Sequence, residues 1–110
     1  MLNRSAVVVS PKQPYIEWAA SLDDSGLAPS ADDDRTVYLI PEYNDDVEAM
    51  EILSQAYDII FEMELGAWHT EESAWPKSRT FAMFREWFEI EFYSLVDDLC
   101  GYELSDDELD

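Results

Sequence analysis

No Lys or Arg occurs between Arg35 and Lys77, yet that stretch holds ten carboxylates together with enough Ile, Leu, Met, Phe and Trp to build a core. Whatever the chain folds into must be held by apolar burial strong enough to keep like charges close together. The pattern returns after Arg85, where residues 86–110 carry ten more carboxylates and no basic residue, and the formal net charge reaches −20. Acidic chains of this kind stay disordered when large apolar residues are scarce. Here hydrophobic residues make up 47% and aromatics 14%, so the sequence reads as a folded polyanion.

At 110 residues the chain has room for one core. The expected organisation is a single globular domain over residues 1–102 that includes a mobile acidic linker at 23–35, followed by a disordered acidic tail at 103–110. Cys100 is the lone cysteine, which rules out an internal disulfide. The apolar run Ala6 to Val9 is far too short for the core of a signal peptide, and no stretch approaches a membrane span, so a cytoplasmic location is expected.

Ser5 to Ser10 is a β-branched run closed by Pro11, the pattern of a buried strand. Pro14 suits the first turn of a helix whose apolar face is Tyr15, Ile16, Trp18, Ala19 and Leu22. A second strand follows at Thr36 to Ile40, stopped by Pro41. Strand, helix, strand in this order predicts a parallel pair with a right-handed crossover. Asn44 is placed to cap a helix running to about Leu65, with Gly66 ending it and with Met50, Leu53, Ala56, Tyr57, Ile60 and Phe61 on its core face. After an aromatic loop at residues 67–79, Thr80 is expected to cap a second long helix. Its core stripe would be Phe81, Phe84, Phe88, Phe92, Leu95 and Leu99, and Gly101 would end it. The fold class is therefore α/β or α+β: a strand-helix-strand unit followed by two long amphipathic helices that cover a small sheet. Two strands alone are unstable. The third could come from the loop at Trp68 to Trp75, from Tyr102 to Leu104, or from a second subunit.

Lys12-Gln13-Pro14-Tyr15 with Trp18, the strand Val37-Tyr38-Leu39-Ile40-Pro41, and Trp75-Pro76 leading to Phe84 and Trp87-Phe88 together resemble a family of short acidic bacterial proteins usually labelled hypothetical. The resemblance implies a bacterial cytoplasmic origin and carries over no functional residue.

Chemistry-bearing patterns are sparse. Asp32, Asp33 and Asp34 are consecutive, without the alternate spacing and distal glutamate of a calcium loop, and His69 and Cys100 sit in no paired zinc motif. With only Gly26, Gly66 and Gly101 there is no phosphate-binding loop, so neither a metal nor a cofactor is expected, and no catalytic residue is singled out. Direct binding of nucleic acid or an anionic membrane would require clustered Lys and Arg. The sharper signal is apolar. Ile52, Ile59 and Met63 on the first long helix, and Met83, Trp87 and Ile90 on the second, form a further stripe beside each core face. Exposed, these stripes would be a protein interface, either of a homodimer or with a partner, and the acidic ridge Glu48, Glu51, Asp58 and Glu62 would select a basic partner. The expected function is a noncatalytic protein-binding or regulatory module. One alternative is a DNA mimic that occupies a nucleic-acid-binding protein. The other is an enzyme using a carboxylate pair, which would require a concave pocket of convergent acids lined by Trp68 and Trp75.

Overall fold

The computed structural model describes residues 1–106. Three strands, β1 (Ser5–Pro11), β2 (Thr36–Ile40) and β3 (Phe88–Tyr93), form a sheet in the order β2-β1-β3. Both pairings are antiparallel, with Val9 opposite Thr36 on one side and Ile90 on the other. Three helices, α1 (Gln13–Ala20), α2 (Asp46–Trp68) and α3 (Phe81–Trp87), complete the fold with a single 3-10 turn at Glu72–Ala74. Mixed α/β composition is as the sequence implies.

The direction of β2 is not. The expected parallel crossover requires a helix that runs back along the whole strand. Eight residues of helix cover only about 12 Å, against about 23 Å for a seven-residue strand, so α1 cannot return the chain to the start of β1. Instead α1 stays at the Pro11 end, where the Lys12 N–H donates to the Trp87 carbonyl at 2.8 Å. The 23–35 connection stays there too, with Pro29 buried and the Asp34 carboxylate accepting from the Ser30 N–H at 2.7 Å. β2 then enters beside Val9 and runs antiparallel to β1.

The long C-terminal helix is the second correction. Phe81, Phe84 and Phe88 have helical spacing, but Phe88, Ile90 and Phe92 also alternate with Glu89, Glu91 and Tyr93 at strand period. Both readings fit the letters. The sheet decides: α3 stops at Trp87, Phe88 turns extended, and the segment supplies the missing third strand. None of the three sources expected for that strand provides it. Leu95 and Leu99, assigned to a helical core stripe, are exposed in irregular chain, and so is Cys100. Of the expected acidic tail, residues 103–106 are irregular and exposed, and residues 107–110 lie outside the described residues.

One face of the sheet carries the core. Val7 and Val9 of β1, Ile40 of β2 and Phe88 of β3 pack with Tyr15 from α1, Leu53, Ile60, Phe61 and Leu65 from α2, and Phe84 from α3. α2 begins one residue later than expected. Asp45 is its N-cap and accepts from the Glu48 N–H at 2.9 Å, while the Glu48 carboxylate reaches back to the Asn44 N–H at 2.7 Å. No helix among the described residues is long and apolar enough to cross a membrane.

α2 also runs through Gly66 to Trp68 rather than stopping there, because Trp75 packs its ring against the helix at that point. Trp75 is fixed by its indole N–H, which donates to the His69 carbonyl at 2.8 Å, and the Trp18 indole N–H reaches the Ala74 carbonyl at 3.0 Å. A Cβ on Gly66 would meet Trp75 at 3.5 Å, an ordinary van der Waals contact. Gly66→Ala should therefore stabilise the protein by about 0.5–1 kcal/mol through the lower entropy of the unfolded chain. Thermal unfolding should show a Tm raised by roughly 2–6 °C. Gly66→Leu, which must displace the Trp75 ring, should lower it.

Candidate functional site

The sheet face turned away from the helices is built by the register. Leu39, Ala6 and Tyr93 form one row across it, Val37, Val8 and Glu91 the next, and Ser10 with Glu89 a third. Val37, Leu39 and Tyr93 are 62%, 47% and 50% exposed. An antiparallel sheet with one wet face normally alternates apolar and polar residues. Ala6-Val7-Val8-Val9 and Val37-Tyr38-Leu39-Ile40 do not alternate. They have the composition of strands covered on both sides, whereas the helices cover one side only.

A second apolar surface lies on α2. Its flank toward α3 is occupied by Tyr57 and Phe61, whose rings meet Phe81 and Phe84 at 5.3 and 5.8 Å. On the opposite flank Ile59 and Met63 are 61% and 54% exposed, and Ile52 is half-buried beside them. The stripe expected on the last helix does not form. Met83 and Trp87 pack against the core, with the Trp87 ring 5.6 Å from Phe61 and 6.2 Å from Tyr15, and Ile90 lies on β3 facing the helices. The acidic ridge is also divided. Glu51 and Asp58 face solvent, Glu48 serves the helix N-terminus, and Glu62 is bound by Arg79 at 3.0 Å. Arg79 is far from Glu62 in sequence. The fold brings it there by holding the guanidinium on the Pro76 carbonyl and over the Trp75 ring.

Residue-by-residue reading of the sequence did not single out Glu64. It is buried on α2 at core spacing from Ile60 and Phe61, and that spacing is the signal that could have found it. The Tyr38 hydroxyl donates to its Oε2, and the Tyr15 hydroxyl donates to its backbone carbonyl at 2.5 Å. Beside it opens a cleft of about 230 Å³ lined by Asp33, Asp34, Arg35, Thr36 and Trp68. Trp75, expected to share such a pocket, packs elsewhere. Burial pushes the Glu64 carboxyl above its ordinary range and the Asp34 charge adds to this, while hydrogen bonds from Tyr38 and Thr36 pull the other way. Burial also drives the Tyr15 and Tyr38 hydroxyls well up, with the Glu64 charge contributing to both, so each remains a donor. The Tyr38 hydroxyl holds the carboxylate as an acceptor within the fold, and the Tyr15 hydroxyl holds the backbone of the same residue.

No protein-family model matches the chain, and neither does any curated protein or solved structure.

The Glu64 shift has a stability consequence with a definite sign. A carboxyl whose folded pKa lies above its unfolded one binds its proton more tightly in the native state. Its contribution is therefore favourable in acid and is lost as pH rises from its ordinary value near 4.5 through the folded pKa. Glu64→Gln keeps an oxygen for the Tyr38 hydroxyl and removes the buried charge. Its Tm should exceed that of the parent at pH 7, and the difference should shrink as pH is lowered toward 4.5 and below. Thermal melts of the two proteins across that range check both statements.

Proposed function

We propose that this protein is a noncatalytic binding module that presents an apolar, acid-rimmed surface to a basic protein partner. The observation that carries this reading is the outer sheet face, where Val8, Val37, Leu39 and Tyr93 stand beside Glu89 and Glu91 on a layer that the helices leave uncovered. A contiguous apolar surface rimmed by charge is the usual mark of an interaction site. The rim carries Asp32, Glu89 and Glu91 against Lys12 and Arg35, and the net charge of −20 favours encounter with cationic proteins.

The Glu64 cleft favours catalysis less, because the hydroxyls of Tyr38 and Thr36 already engage the carboxylate. The acidic ridge gives limited support to imitation of a phosphate backbone. With Glu48 turned to a helix cap and Glu62 paired to Arg79, only Glu51 and Asp58 of the four remain unengaged on the solvent face of α2.

Val37→Thr with Leu39→Thr keeps β propensity and removes the grease at two exposed positions. The double variant should unfold within about 0.5 kcal/mol of the parent. The parent, immobilised, should keep a discrete set of basic proteins from a bacterial lysate after a wash at about 0.3 M salt has removed those held by charge alone, and the variant should lose most of that set. Equal retention by both proteins would overturn the reading.

A further inference from the structure

We propose that the free edge of β2 is where the partner is read: an extended segment of another protein, apolar in its middle and carrying Lys or Arg at both ends, adds to β2 as a fourth strand. This rests on the protein-binding reading above and narrows it to one surface and one class of ligand.

Both outer strands of a β2-β1-β3 sheet have one row of backbone N–H and C=O groups with no strand beside them. The two edges are not alike. β3 carries Glu89 and Glu91, charges of the kind that discourage edge pairing. β2 reads Thr36-Val37-Tyr38-Leu39-Ile40, without a charge, a proline or a bulge, and pairs with β1 in unbroken register along all five residues. Among the described residues, β1 is the one element whose backbone hydrogen-bonds to it. It is an unguarded edge, the feature that strand addition uses.

The surroundings of β2 supply pockets and charge. Glu64 of α2 stands over Tyr38, while Tyr57 and Phe61 turn toward α3, which runs directly into β3 on the other side of the sheet. At about 100° per residue, Met63 is turned about 100° from Glu64 onto the flank away from α3, toward the open side of β2, while Ile59 is turned about 140° and faces away from the sheet. One face of an added strand would rest beside Met63, and its other face would continue the Val37 and Leu39 surface. Both ends of the edge are net anionic: Asp32, Asp33 and Asp34 precede β2 and outnumber the adjoining Arg35, and Glu42, Asp45 and Asp46 follow it. Basic residues flanking an apolar centre match this distribution. A second copy matches it less well, because antiparallel self-pairing about Tyr38 would set Asp34 of one copy opposite Glu42 of the other at both ends, a like-charge contact that the neighbouring Arg35 offsets only in part.

The test uses the full chain and a labelled peptide, Lys-Lys-Thr-Val-Thr-Ile-Thr-Val-Lys-Lys, with binding followed by fluorescence anisotropy at low salt. Two further peptides carry N-methyl groups on alternate residues of the central six, one on the Thr set and one on the Val and Ile set. Strand addition uses the N–H groups of every second residue, so one methylated peptide should bind at least about tenfold more weakly while the other stays within about twofold of the parent. Met63→Ser, at an exposed position, should weaken the parent peptide several-fold without lowering Tm, whereas Ile59→Ser, on the side of α2 away from the sheet, should leave it within about twofold. If both methylated peptides bind as well as the parent, strand addition is wrong while the protein-binding reading stands. If no peptide binds at all, both fail. A chain that light scattering shows to be dimeric, and that binds peptide only on dissociation, assigns the edge to a second copy and overturns the choice of partner.

Discussion

Phe61 meets Phe84 at 5.8 Å and Phe88 at 5.4 Å, and Phe84 meets Phe88 at 5.2 Å. All three rings are buried, and they join α2, α3 and β3 at one point. Rings of this size each bury on the order of 150–250 Å², about 4–6 kcal/mol apiece at 25 cal/mol per Å² before entropy is subtracted. Repulsion between exposed carboxylates one helical turn apart costs about 0.2–0.5 kcal/mol per pair. That disparity lets a chain with so few cations fold. It also sets the geometry, because every carboxylate among the described residues except Glu64 can be turned to water once the aromatic cluster has fixed which side of each element faces inward.

The cluster explains why α3 is short. Phe84 and Phe88 are four residues apart, a spacing that a helix satisfies, and the helix-to-strand junction at Trp87 satisfies it as well by carrying Phe88 into the core as the first residue of β3. From there Ile90 and Phe92 follow on the same face at every second residue, which a helix could not arrange. Continuing the helix would have buried one stripe and left two strands without a third. Ending it buries the alternating residues and completes the sheet.

Local elements were legible wherever a single period was present. β2, the proline-started α1 and the core face of α2 follow directly from the letters, and Tyr57, Ile60 and Phe61 sit where their spacing puts them. The segment after Thr80 fits both periods, and only the sheet's need for a third strand separates them, a tertiary requirement that local pattern does not carry. Strand direction was lost for a similar reason: it depends on where an eight-residue helix leaves the chain, not on the order of elements. At the site, Ile59 and Met63 were visible as surplus apolar positions on α2. The unbroken apolar runs of β1 and β2 were visible too, but they say that both faces are greasy without saying which one the helices take. Glu64 was hidden among 26 acidic residues, although its place in a core stripe distinguishes it from all those on the ridge.

An acidic surface of this density attracts cations without discriminating among them, because Coulomb attraction has no direction and fades over a Debye length of about 10 Å at 0.1 M salt. Selectivity has to come from groups that impose geometry. The carboxylates of Glu51 and Asp58 stand on flexible side chains in water and impose little. Backbone N–H and C=O groups on a strand held in register by β1 are fixed in spacing and direction, and the side chains of Val37 and Leu39 are fixed with them. On the proposed reading, charge would govern how fast a basic partner arrives and how strongly salt opposes it, whereas the edge and the grease around it would govern which segment stays. The two roles fall on different parts of the molecule. In β2 the chain keeps an uncharged strand between two anionic clusters, so that the long-range field and the short-range template meet at the same place.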